Sequence, residues 1–226
     1  DPHLQFNWNP LPESRKALAL TRTTAAQRYA VLGISWFWFF GTVITSQLPT
    51  FAEVSLGGDE RLYLLILALF SVGTGIGSLL CERLSSHRID SRLVLWGALG
   101  MSLFLLDLVR RTWTPLGSHD IGIMEFVRDA SHWALIADVV LIGAFTGIFV
   151  VPLFAMVQTL SDPSQRSRVF AGVNIQNSGY IVLASLSALA LTKLGFATPQ
   201  LFLVLAVVNG LALILWQRRL RATHSQ

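Results

Sequence analysis

Apolar residues in this chain come in six runs, at about 29–49, 62–81, 93–107, 135–158, 169–191 and 199–216, with polar residues in the gaps between them. The runs approach the roughly 20 residues a helix needs to cross a hydrocarbon layer about 30 Å thick. The pattern predicts an all-α membrane protein, with a six-transmembrane-helix bundle over 29–217. A polar linker, 1–28, precedes it and a basic tail, 218–226, follows. The linker is expected to hold a weakly amphipathic surface helix over 14–26. The longest gap, 110–133, is expected to form an interfacial helix, with Ile123, Val127 and Ala130 on its apolar side and His132 and Trp133 as anchors.

The exceptions within the runs carry the information. The fourth run has no charge between Asp138 and Gln158, and Thr146 is its one polar side chain there. Gly143 and Gly147 stand one turn apart, as do Gly73 and Gly77 in the second run, and such pairs let helix backbones approach closely. Pro152 cannot donate to the Ile148 carbonyl, so a bend is expected there. In the first run Ser35, Trp38, Thr42, Thr45 and Pro49 share a face, and in the fifth Ala171, Asn174, Ser178 and Ser185 do, beside Gln176 and Asn177. Amides are costly in hydrocarbon unless they meet partners or water. Two readings fit both stripes: the wall of a wet cavity, or helix packing. Asp107 is expected to pair with Arg110 or Arg111. Asp138 is a candidate functional acid, although it lies near enough to the interface to reach water.

Composition narrows the class. Apolar residues make up 53% of the chain and charged residues 13%, well below the roughly 25% charged of soluble domains. The pI near 9.8 does not argue for nucleic acid, because the basic residues sit at the ends of apolar runs. The side bearing both termini holds Arg15, Lys16, Arg22, Arg28, Arg83, Arg88, Arg92, Arg166, Arg168, Arg218, Arg219 and Arg221; the other holds Arg61, Arg110, Arg111, Arg128 and Lys193. That is twelve against five, which accounts for all 17. Positive residues favour the inside, so both termini are expected in the cytoplasm. The lone Cys81 excludes an intramolecular disulfide. The five histidines are scattered, and no nucleophile with a base and no phosphate-binding glycine loop is seen, so no enzyme, metal or cofactor is expected. With Asp1 in first position, the chain is expected to be a piece of a longer one.

Six runs with both ends on one side resemble one half of a major facilitator superfamily transporter. The second half fits, because 1–28 resembles the central cytoplasmic loop. SLLCERLSSHR (78–88) resembles the family's loop signature, with Ser78 in the small position, Glu82 as the carboxylate and Arg83 as the arginine; Ser85, Ser86 and His87 replace its glycine and basic residues. ISWFWFFGTVITSQLP (34–49), LFSVGTGIGSLLCERLS (69–85) and GIFVVPLFAMVQ (147–158), supported by RSRVFAGVNIQN (166–177), are similar to the bacterial lysophospholipid transporter branch, in the form fused to an acyltransferase and acyl-carrier-protein ligase.

That resemblance implies alternating access that carries a lysophospholipid, such as lyso-phosphatidylethanolamine, from the outer to the inner leaflet of the bacterial inner membrane. It implies an N-terminal six-helix half and the acyltransferase/ligase as partners. The acyltransferase HxxxxD motif is absent, since five residues separate His132 from Asp138. The expected substrate path is Ser35, Trp38, Thr42, Thr45, Gln158, Asn174, Asn177 and Ser178, with Trp36, Trp38, Phe39 and Phe40 for the tail. Gly73, Gly77, Gly143 and Gly147 would permit sliding contacts, and Pro152 gating. The competing readings are a facilitator for another solute, such as a drug or sugar, and a non-transporting membrane anchor for an acyltransferase, docked through 15–28 and the basic tail.

Overall fold

A computed structural model describes residues 10–85, 91–116 and 121–224, and the chain there is almost wholly helical. The helices are α1 (Pro10–Leu20), α2 (Ala25–Thr50), α3 (Glu60–Ser85), α4 (Ser91–Arg111), α5 (Ile123–Arg128), α6 (Trp133–Leu160), α7 (Arg166–Lys193) and α8 (Thr198–His224). Among the described residues, five segments are long and apolar enough to cross a membrane: Ala25–Ser55, Glu60–Leu84, Arg92–Arg111, Ala130–Leu160 and Arg166–Lys193. The apolar stretch of α8, Thr198–Ile214, is shorter, but its helix continues to His224. Each long helix outruns its apolar run, because backbone bonding continues through the polar flanks.

Local chemistry sets the ends. Thr24 caps α2, its hydroxyl accepting from the Gln27 amide at 3.1 Å. Asp59 caps α3, accepting from the amides of Arg61 (2.9 Å) and Leu62 (3.0 Å). The cap of α8 is Ala197: its carbonyl accepts from Gln200 and Leu201, and its N–H donates to Gln200 Oε1 at 2.9 Å, half of a capping box. At the end of α7, Gly195 (φ +89°) lets Phe196 bond back to the Leu191 carbonyl and Gly195 to Thr192, a Schellman turn. Pro49 does not end α2, as the apolar run suggested; a π-helical turn, Phe51–Ser55, carries the chain on.

The connection over 110–133 is not one interfacial helix. Leu116 and Ile121 donate to the carbonyls of Ser55 and Gly57, tying it to the α2–α3 corner. Phe126 of the short α5 plugs into the core. His132, expected at the head groups, is buried against the Phe126 ring (4.4 Å), with Nδ1 3.1 Å from the Phe126 carbonyl. Trp133 stays exposed. Asp129 caps the turn, and the Ser131 amide holds its carboxyl below the usual range.

Apolar on all sides, α6 takes the centre, packed against α3, α4 and α2. By contrast α7 buries only a thin stripe, Val169, Gly172, Val173, Asn177, Ala184 and Ala188, packed chiefly against α2 and α1. Much of α3 and α7 therefore faces outward.

Candidate functional site

The four glycines singled out in the sequence line one seam between α3 and α6. A Cβ on Gly73 would strike the Val140 carbonyl of α6, and one on Gly77 that of Ala144. In return Gly143 faces the Phe70 carbonyl and Gly147 the Thr74 carbonyl of α3. The two helices thus touch backbone to backbone along two turns, which is the contact small residues exist to permit. Pro152 is buried within an unbroken α6.

The polar stripe of α2 divides. Ser35 is fully buried and meets α7: its Oγ accepts from Gln176 Nε2 at 3.1 Å. The Asn177 amide, turned to match donors with acceptors, donates to Ser35 Oγ (2.9 Å) and the Val173 carbonyl (3.2 Å), while its oxygen accepts the Trp38 indole N–H (3.1 Å). Ser35 and Asn177 are therefore a satisfied clamp between α2 and α7, not open lining. Trp38 stands at the clamp's edge, 41% exposed, and below it Thr42 is half-buried and Thr45 exposed. Of the aromatics expected to serve a tail, Phe40 is sealed in the core. Trp36 is spent on a hydrogen bond to Asn209, and Phe39 stacks on Trp36 at 5.0 Å.

On α7, Ala171, Asn174, Ser178 and Ser185 all face outward. Ser178 and Ser185 donate to the carbonyls of Asn174 and Ile181, one turn back, so their hydroxyls are satisfied within the helix. The Asn174 amide has no hydrogen-bond partner among the described residues. It lies on the order of 12 Å along the helix from Arg166, inside a hydrocarbon-length span. An exposed amide at that depth requires water, ligand or another protein surface. Gln158, at the end of α6, is likewise exposed.

Comparison with known proteins gives a family: the model for the Major Facilitator Superfamily matches residues 29–226. The chain belongs to the major facilitator superfamily. No curated protein and no solved structure matches it. The protein is accordingly a multi-pass membrane transporter of that superfamily, and its helices form a bundle consistent with half of the family's fold.

Of the residues expected to form the loop motif, Ser78 lies half-buried at the seam, its Oγ donating to the Thr74 carbonyl at 2.8 Å with its amide next to Gly147. Glu82 and Arg83 are exposed one turn on; Ser86 and His87 lie outside the described residues.

Two polar centres escaped the sequence reading. Asn209 of α8 is buried, accepts the Trp36 indole N–H (2.7 Å), and donates to the Ala98 carbonyl (2.8 Å) and Ser102 Oγ (2.9 Å). It joins α2, α4 and α8, and the signal was present: a lone amide in an apolar run demands partners. Gln27 Nε2 donates to Ser161 Oγ at 3.3 Å, fastening the start of α2 to the end of α6. At the opposite end, Asp107 takes both expected arginines, Arg110 and Arg111, and Arg111 also reaches the buried Asp138 at 3.0 Å.

Proposed function

We propose that this facilitator carries a lysophospholipid, such as lyso-phosphatidylethanolamine, from the outer to the inner leaflet of the bacterial inner membrane by alternating access, with both termini cytoplasmic. The observation that carries the reading is the unpartnered Asn174 amide on the open face of α7. Ser178 and Ser185 share its edge, and Val182, Leu183 and Leu186 lie exposed alongside. A polar edge beside an apolar band suits a substrate with a zwitterionic head and one acyl chain. The similarity of 34–49, 69–85 and 147–158 to the lysophospholipid branch supports the same choice. A second six-helix bundle would close the path against the outward faces of α3 and α7, and an acyltransferase on the cytoplasmic side would consume the product.

The test is uptake of radiolabelled lyso-phosphatidylethanolamine by membrane vesicles that contain the chain in its native setting, against vesicles that lack it. Chain-dependent uptake that unlabelled lysolipid competes away, and sugar does not, is expected. Equal flux in both vesicle types sinks the reading.

A further inference from the structure

We propose that the cleft between α1 and α7 is a head-group site for a glycerophospholipid of the leaflet at the basic end of the bundle, with Arg168 and Lys16 facing the phosphate. The cleft is half-open to the surface and offers about 300 Å³. Its floor is apolar, built from Leu20, Ala171 and Ile175, and its rim carries Glu13, Lys16 and Arg168.

The charges are not balanced. Lys16 is paired with Glu13 at 2.8 Å. The Arg168 guanidinium has no hydrogen bond or ion pair among the described residues. Its charge nonetheless reaches the same place: the Glu13 carboxyl is held below the usual range chiefly by its hydrogen bond to Lys16, and Arg168 adds to that effect. One cation is left over, at the mouth of an apolar floor. That combination fits an amphiphile with one net negative charge on a phosphodiester, where an arginine offers two donors to two phosphate oxygens. A free inorganic anion would leave the floor uncovered.

The cleft's walls are fixed. At Gly172 a Cβ would lie 2.7 Å from the Ala17 carbonyl carbon, so α1 is seated on the α7 backbone. Thr21 is buried, and its hydroxyl donates to the Leu18 carbonyl at 2.8 Å, closing α1. Ala171 lies one turn from Asn174 on the same exposed face of α7, so the cleft lies next to the candidate transport path. The site deepens the carrier reading by giving a head group a resting place at the basic end, but it stands as a phospholipid site whatever solute is carried.

The experiment titrates the purified full chain in detergent with phosphatidylglycerol and counts bound lipid by native mass spectrometry. Wild type should retain one lipid, and Arg168→Gln should weaken retention by about tenfold, the loss of one charge-assisted contact. Glu13→Gln frees Lys16 and should tighten it several-fold, a gain that misfolding cannot produce. Ala171→Trp fills the floor and should weaken it as well. Equal retention in wild type and Arg168→Gln, or looser retention in Glu13→Gln, overturns the proposal. So does full competition by millimolar inorganic phosphate, which would make the ligand a free anion. Lysolipid flux, measured separately, reports on the carrier reading alone: flux absent while lipid retention follows this pattern would remove that reading and leave the site.

Discussion

Gly77 of α3 and Ala144 of α6 meet with no side chain between them: a Cβ at position 77 would lie 2.7 Å from the Ala144 Cα and closer still to its carbonyl. Gly77→Ala therefore has to push α3 away from α6, and because Gly73, Gly143 and Gly147 share the seam, the whole contact opens. Overpacking of this kind costs about 1–3 kcal/mol. Gly75, two residues away, has nothing within 4 Å of its would-be Cβ. Gly75→Ala should be neutral or stabilising by up to about 1 kcal/mol, the ordinary helix preference for alanine over glycine. Thermal unfolding of the purified chain in detergent compares the two; equal midpoints would show that the seam does not hold the bundle.

The two α7 asparagines separate in the same assay. Asn177 is 4% exposed and satisfied by Ser35, Val173 and Trp38. Asn177→Leu strands the Trp38 N–H and cuts the α2–α7 clamp, which should cost roughly 0.6–1.7 kcal/mol, the range for interhelical hydrogen bonds in membranes. Asn174→Leu removes no contact within the bundle and should leave the melting point unchanged while reducing lysolipid uptake. A destabilised Asn174→Leu would mean that the amide has a structural partner.

That split shows where sequence reading stops. The polar stripes on α2 and α7 were legible, because a 3- and 4-residue spacing fixes which residues share a helix face. Which polar residue turns inward depends on how far α7 is rotated about its own axis against α2, and nothing in Ser35 or Asn177 marks them apart from Thr45 or Asn174. The glycine pairs were legible as close-packing faces, but that 73 and 77 share one seam with 143 and 147 is a property of the assembled bundle. The aromatics of ISWFWFFG suit a lining or a packing face alike, and only Trp38 of the four expected tail contacts is substantially exposed. His132 follows the same logic, since stacking on Phe126 across six residues cannot be read from a periodicity.

Asn209 provides a third test. Its amide uses both oxygen and nitrogen, bonding α2 through Trp36 and α4 through Ala98 and Ser102, at 1% exposure. Asn209→Leu keeps the branched shape and strands the indole N–H, and a buried donor left without a partner costs about 1–3 kcal/mol. Trp36→Phe in the Leu background removes the stranded donor, so part of the loss should return. A double variant no more stable than Asn209→Leu would count against the indole as the source of the penalty.

The arginine that joins α4 to α6 sets up a sharper cycle. Arg111 reaches Asp107 at 2.7 Å and Asp138 at 3.0 Å, whereas Asp107 has a second partner in Arg110 at 2.8 Å. Removing Arg111 therefore leaves Asp107 paired and Asp138 buried without a counter-ion. An uncompensated buried charge is the expensive outcome, about 3–5 kcal/mol when fully buried and less here because Arg111 itself is partly exposed. Arg111→Gln should be clearly destabilising, and Asp138→Asn alone less so, since the arginine keeps Asp107. Adding Asp138→Asn to Arg111→Gln should then recover stability, because the charge that suffered is gone. Equilibrium unfolding of the four proteins measures the coupling. Strictly additive losses would show that Arg111 acts on Asp107 alone and that Asp138 finds its compensation elsewhere.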